Sequence, residues 1–175
     1  MERLLEFVIF HHAENARGKN KEDVSEAYPT ITKKGEKWAR EQSSLILFKR
    51  ISEAPKDSAV VFCGVSRLGR TQETLAVLTS ELYHQCAVAV KKLSGLTIIE
   101  SLVIVEEFLA SSDQQDNIKI ALDMLNGLKR LEARFKHILK KNLFLVCVGH
   151  AREMEALINL PVDDRMCEAA LTFIL

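Results

Sequence analysis

The chain has 175 residues, 47% of them hydrophobic and 27% charged, the profile of one globular domain (1–175) large enough to bury a core. Lys plus Arg and Asp plus Glu both number 24, and this zero formal charge speaks against a nucleic-acid or anionic-membrane partner. No apolar run is long enough to span a bilayer, and the opening MERLLEFVIF, with an acid on each side of its apolar core, reads as structure and not as a leader.

The segment EFVIF, Glu6 to Phe10, is a short apolar run of the kind that forms a strand buried on both faces. It stops abruptly at His11, His12, Ala13, Glu14 and Asn15. Ala16 to Thr32 is polar and reads as a loop. Thr32 is a natural N-cap for a helix from Lys33 to Arg50. AVVFC, Ala59 to Cys63, predicts a second buried strand. A turn from Gly64 to Gly69 leads into a helix to Tyr83, with Leu75, Leu78 and Leu82 on one face. Cys86 to Leu93 alternates weakly and predicts a third strand, broken at Ser94-Gly95.

Ile98, Leu102, Val105 and Leu109 then recur at helical spacing, before a polar break from Ser111 to Asn117. Ala121, Met124, Leu128, Leu131, Phe135 and Ile138 define a long amphipathic helix, with Lys140 and Lys141 at its negative end. LFLVCV, Leu143 to Val148, predicts a fourth buried strand, and Ala151 to Leu160 a short helix stopped by Pro161. Ala169 to Leu175 predicts a last strand. Strands alternating with helices imply an α/β sandwich around a mostly parallel sheet.

Ligands of such sheets bind beyond the carboxyl ends of the strands. There the chain brings His11, His12, Glu14 and Asn15 after strand one, Ser66, Arg67 and Arg70 after strand two, and Gly149-His150 after strand four. Imidazoles and guanidinium groups on one rim suit a phosphate. An Arg fork takes two oxygens, and a neutral imidazole can attack phosphorus.

The order of these motifs resembles the histidine phosphatase superfamily, also called phosphoglycerate mutase-like. The family's Arg-His-Gly-Glu, or Arg-His-Ala in its small phosphohistidine phosphatase branch, is matched by His11-His12-Ala13-Glu14. Ile31-Thr32-Lys33-Lys34-Gly35 matches its helix start. Ser66, Arg70 and Thr74 match its serine, arginine and threonine, and Gly149-His150 its closing histidine. The resemblance implies a three-layer α/β/α sandwich. It implies a phosphohydrolase that acts on a phosphorylated protein or small phosphoester, with His12 as the nucleophile that becomes phosphohistidine. Arg70 and His150 would bind the transferring oxygens, and no cofactor or metal is implied.

The chain departs from the family at two places. His11 stands where the family has an arginine. An imidazole has no fork and is only partly charged near neutrality, so affinity for phosphate is expected to fall as pH rises. Loss of one charge-assisted partner costs roughly 1.5–3 kcal/mol of binding. Arg17 and Arg152 are the arginines placed to make good that charge. The usual acid after the third strand is also absent, which leaves Glu100 as the candidate proton donor. The alternative is a member that binds phosphorylated ligands or a protein partner without turnover.

Two other chemistries fit less well. Cys63 and Arg70 are one residue too far apart for a cysteine-phosphatase loop, whose arginine position is Gly69 here. Adjacent histidines at a strand end diverge and suit a metal ion poorly. Cys63, Cys86, Cys147 and Cys167 form no C-x-x-C pair. Three of them sit in apolar strand-like runs, which suggests free thiols in a reducing, cytoplasmic compartment. His84 and His137 fall on helices and read as surface or boundary residues.

Overall fold

In the computed structural model, the described residues are 4–15, 31–54, 57–88, 96–105, 116–138, 142–158 and 170–174. In chain order they form β1 (Leu4–His11), α1 (Lys33–Gln42), a π-helical stretch (Ser43–Phe48), α2 (Lys49–Ser52), β2 (Ser58–Val65) and α3 (Gly69–Val88). These are followed by β3 (Thr97–Ile104), α4 (Asn117–Phe135), β4 (Asn142–Gly149), α5 (Ala151–Ile158) and β5 (Ala170–Ile174). The five strands make one sheet in the order β3-β2-β4-β1-β5. β4 pairs in parallel with β1 and β2, β3 is parallel to β2, and β5 runs antiparallel to β1.

The sheet is covered on both faces, which is why its strands are continuous apolar runs. Leu5, Phe7 and Ile9 of β1, with Leu143, Leu145 and Cys147 of β4, pack under Met124, Leu128, Leu131 and Phe135 of α4 and Met154 of α5. Val8, Phe10, Val60, Phe62, Phe144 and Val146 face the other way, against Leu47, Ile51 and Leu75, Leu78 and Leu82 of α3. The expected three-layer sandwich is therefore present.

Local chemistry sets the helix starts. Thr32 Oγ1 accepts the Gly35 N–H at 3.0 Å and Asp116 Oδ1 accepts the Ile118 N–H at 3.0 Å, so each caps its helix. Gly35 is buried against the exit of β1, and a Cβ there would lie 2.4 Å from the Glu14 carbonyl oxygen. The helix expected from Lys33 to Arg50 is interrupted by the π-helical stretch. Ser43 is fully buried there and donates its hydroxyl to the Leu78 carbonyl at 2.8 Å. The wider turn brings Leu47 and Ile51 to the sheet and leaves Leu45 at 66% exposure.

One region differs in kind from the sequence expectation. Cys86 belongs to α3, which runs on to Val88, and the third strand is Thr97–Ile104, where helical spacing predicts a helix. TIIESLVI is rich in β-branched residues, and pairing with β2 outweighs the spacing. β2 also carries an extra residue. Phe62 pairs with Val146 but Gly64 with Cys147, so Cys63 bulges and the strand changes face. Val65 consequently joins the core on the side of Val60 and Phe62.

Among the described residues, no helix is long and apolar enough to cross a membrane. Arg17 and the rest of residues 16–30 of the predicted Ala16 to Thr32 loop lie outside the described residues. So do the expected breaks at Ser94-Gly95 and after Leu109, the residues Lys140, Lys141 and Pro161, and Cys167.

The Gly35 contact predicts that Gly35→Ala lowers stability by a net ~1–2 kcal/mol. The collision with fixed backbone outweighs the ~1 kcal/mol gain in helix propensity. Denaturant unfolding measures this, and an unchanged or raised midpoint would contradict the close packing.

Candidate active site

The site lies on the rim where β1, β2 and β4 end. The β1–β4 register carries His11 opposite Gly149, and the His12 N–H continues the ladder to the Gly149 carbonyl at 3.1 Å. Parallel pairing therefore fixes the backbone of His12 beside that of His150. The two rings stand edge to face, with centroids 5.2 Å apart and planes at 66°. The His11 ring tilts against His12 at 4.3 Å.

Each ring is aimed by a specific bond. His12 Nδ1 lies 2.8 Å from the Ala13 carbonyl. A carbonyl only accepts, so Nδ1 carries the hydrogen, and in the neutral ring the lone pair sits on Nε2. His11 Nδ1 likewise donates to the His12 carbonyl, at 2.7 Å. His150 Nε2 lies 3.0 Å from Ser66 Oγ, which in turn meets Thr71 Oγ1 at 3.0 Å and the Leu68 N–H at 3.3 Å. Ser66 is fully buried, so its part is to hold His150.

The segment after β1 is fastened to α3. The Ala13 N–H donates to Thr74 Oγ1 at 2.9 Å, and Thr74 donates to the Arg70 carbonyl at 2.7 Å. This links the carbonyl that orients His12 to the helical turn that carries Arg70. Burial, then the charge on His11, then Arg70, push the His12 imidazole down from 6.5 to about 3. Burial, then His12, Arg70 and His11, push His150 down to about 2. Both rings are therefore neutral at physiological pH, and both lie within the field of the Arg70 guanidinium.

Of the residues singled out in the sequence, His11, His12, Ser66, Arg70 and His150 come together. Glu14 is exposed and pairs with Lys34 at 2.9 Å, and Asn15 bridges to Ile31. Arg67 is exposed on the turn before α3. Arg152 is half-buried on α5, two residues past His150. Glu100 corrects an expectation. It is exposed on β3, opposite Phe62 in register, and its carboxylate acts on the Tyr83 hydroxyl late in α3. Arg70 starts that helix, so some ~20 Å of helix separate the two ends, which removes Glu100 from the histidine rim. His84 and His137 are exposed, as expected. Cys63 is buried, donates to the Val146 carbonyl at 3.8 Å, and has its thiol pushed up by burial first and by Cys147 second.

Glu153 escaped the sequence reading. It is fully buried in the first turn of α5, and its Oε2 accepts the His150 N–H at 2.8 Å. An acid at the third helical position reaching back to the cap N–H is half of a capping box. A glutamate three residues after a strand-end histidine was the available signal.

An α/β/α sandwich with imidazoles and a guanidinium on one carboxyl rim is the arrangement that the histidine phosphatase resemblance implies. No family model matches the sequence, and no curated protein matches it. Some solved structures are similar over most of the chain. One, assigned as the phosphohistidine phosphatase SixA from Agrobacterium tumefaciens, is 12% identical with a TM-score of 0.46, covering 100% of this chain and 91% of that one. A mycobacterial glucosyl-3-phosphoglycerate phosphatase in complex with VO3 is 12% identical, TM-score 0.45, covering 97% and 87%. A phosphoserine phosphatase from Entamoeba histolytica is 15% identical, TM-score 0.42, covering 88% and 78%. At these identities and TM-scores the likeness says nothing about substrate.

The buried neutral rings predict acid sensitivity. Both titrate near 6.5 when unfolded and only near 3 or below when folded, so the unfolded chain binds more protons between these values. Stability is full above about pH 6.5 and falls on acidification, by on the order of 1 kcal/mol per pH unit for each ring. A double variant, His12→Asn with His150→Asn, should lose stability with a shallower slope between about pH 6.5 and 4.5. Equal slopes in urea unfolding would show that these rings are not held neutral.

Proposed function

We propose that this chain is a phosphohydrolase of the histidine phosphatase type that works through phosphorylated His12. The observation that carries this reading is the state of the His12 ring. Its Nδ1 hydrogen is committed to the Ala13 carbonyl, burial keeps the ring neutral, and a second buried imidazole stands 5.2 Å away. The Nε2 lone pair is thus free of a proton, as nucleophilic attack requires.

In the first step Nε2 bonds to phosphorus while the bond from phosphorus to the leaving oxygen or nitrogen breaks. The leaving atom keeps that electron pair and takes up a proton. In the second step a water oxygen bonds to phosphorus, the P–N bond breaks, and its electron pair returns to Nε2. The water's proton passes to the phosphate or to solvent. Arg70 offers a forked guanidinium to the transferring oxygens, and its charge counters theirs as the transition state forms. His150, held by Ser66, adds a ring edge on the same side.

With Glu100 away from the rim, substrates whose leaving group needs little protonation suit the site best. A phosphoramidate such as a protein phosphohistidine, or an aryl phosphate, meets that condition.

Purified protein should hydrolyse a generic aryl phosphate, and His12→Ala should lower kcat at least about a thousandfold. Acid-labile phosphate trapped on His12 after rapid quenching would identify the intermediate. Turnover that survives His12→Ala would rule the route out. Oxyanion binding by a wild type without turnover would leave a binding protein in its place.

A further inference from the structure

Cys63 of β2 and Cys147 of β4 lie on the face of the sheet that α4 and α5 cover. The two strands are neighbours, and the bulge sets the cysteines together. Phe62 stands opposite Val146 and Gly64 opposite Cys147, so Cys63 falls between these two positions of β4. Gly64 has no side chain to separate the sulfurs. The Cys63 thiol donates to the Val146 carbonyl at 3.8 Å and shares a side-chain hydrogen bond with Cys147. Cys86, the other free cysteine among the described residues, packs on the opposite face.

Cys63 and Cys147 are both free thiols and both fully buried. Neighbouring strands run about 4.8 Å apart, inside the roughly 4.4–6.8 Å between Cα atoms that a disulfide spans. The pair also has a place in the site. Ser66 follows Cys63 by three residues, and His150 follows Cys147 by three. Ser66 Oγ and His150 Nε2 are 3.0 Å apart. The thiol pair and the Ser66–His150 bond therefore link the same two strands, the thiols one step deeper in the core.

We propose that Cys63 and Cys147 are a redox modification site, closed into a disulfide by hydrogen peroxide and reopened by a thiol reductant, and that closure loosens the hold of Ser66 on His150. One sulfur attacks the peroxide O–O bond and becomes a sulfenic acid as the first water leaves. The second sulfur attacks the sulfenic sulfur, and the hydroxyl departs with the second thiol proton as another water. Two thiols and one peroxide thus give one disulfide and two waters. The sulfurs lose two electrons and the peroxide oxygens gain them. A neutral disulfide suits the dry core, whereas a sulfinate would bury a charge there. Burial slows the first step because it disfavours the thiolate, so the pair answers sustained and not passing peroxide.

A sulfur–sulfur bond is about 2.05 Å long, well inside hydrogen-bond reach, so closing it draws β2 and β4 together below the rim. The effect on turnover rests on the phosphohydrolase reading above. The disulfide and the shift of His150 do not.

The test treats folded protein with hydrogen peroxide, without denaturant, then alkylates it and maps its peptides by mass spectrometry. A linked Cys63–Cys147 peptide is expected, two hydrogens lighter than its parts and lost with dithiothreitol. Nitrogen-15 NMR should show the His150 ring signals displaced in the oxidised form and restored on reduction. Aryl phosphate turnover should fall on the order of tenfold and recover with the reductant. Cys63→Ala and Cys147→Ala should each keep the basal activity and lose the response to peroxide.

Sulfinic acids at these positions, links to Cys86 or Cys167, or unchanged thiols would overturn the proposal. Wild-type protein alone decides this, even where the variants do not fold. A linked pair with unmoved His150 signals would also overturn it. A linked pair and displaced His150 signals in a protein without turnover would uphold the proposal and sink the phosphatase reading. Turnover by a protein whose thiols never link would do the reverse.

Discussion

β4 lies between β1 and β2 and runs parallel to both, and the candidate site depends on that pairing. Strands of one polarity end on one rim, so residues far apart in sequence are delivered to a common edge. The register is exact enough to set His11 against Gly149 and to carry the ladder on to His12. Parallel strands also force the chain to return through helices on the faces. α3 and α5 both begin at this rim, where their N-terminal ends favour negative charge. The fold that buries the apolar strands thus also gathers three imidazoles and a guanidinium on one edge.

Burial sets the protonation of this rim. Taking His12 and His150 out of water strips them of protons, which suits a nucleophile and its neighbour. Glu153 is buried under α5, where its carboxylate accepts the His150 N–H. Backbone carbonyls complete the arrangement by fixing which nitrogen of His11 and of His12 carries a hydrogen. Thr74 extends that control to the helix of Arg70 through two short bonds.

The misread stretch shows how pattern and partner compete. Ile98, Leu102 and Val105 repeat at helical intervals, but as a strand the segment puts Ile98 on one face of the sheet and Ile99 and Val103 on the other, and only the neighbour decides. In this fold β2 lacks a partner on one side without Thr97–Ile104, and the β-branched residues of that segment suit the pleat. The same error gave Glu100 a helical setting near the rim. On the strand it belongs instead to the surroundings of Tyr83. The π-helical stretch and the Cys63 bulge were equally invisible, since each is a local compromise made to fit a packed surface.

Alternating apolar runs and amphipathic helices by themselves determined the layered α/β architecture, four of the five strands and the residue types that meet on the rim. They did so because a buried parallel strand leaves an unmistakable continuous signature. Thr32 as a cap was legible for a similar reason, since its bond is made within one turn of chain. Which nitrogen of His12 is unprotonated and what steadies His150 were decided only in three dimensions. Those properties depend on a carbonyl, a hydroxyl and a carboxylate brought close by strand register and burial, and electrostatics in a dry interior follows distance through space and not separation along the chain.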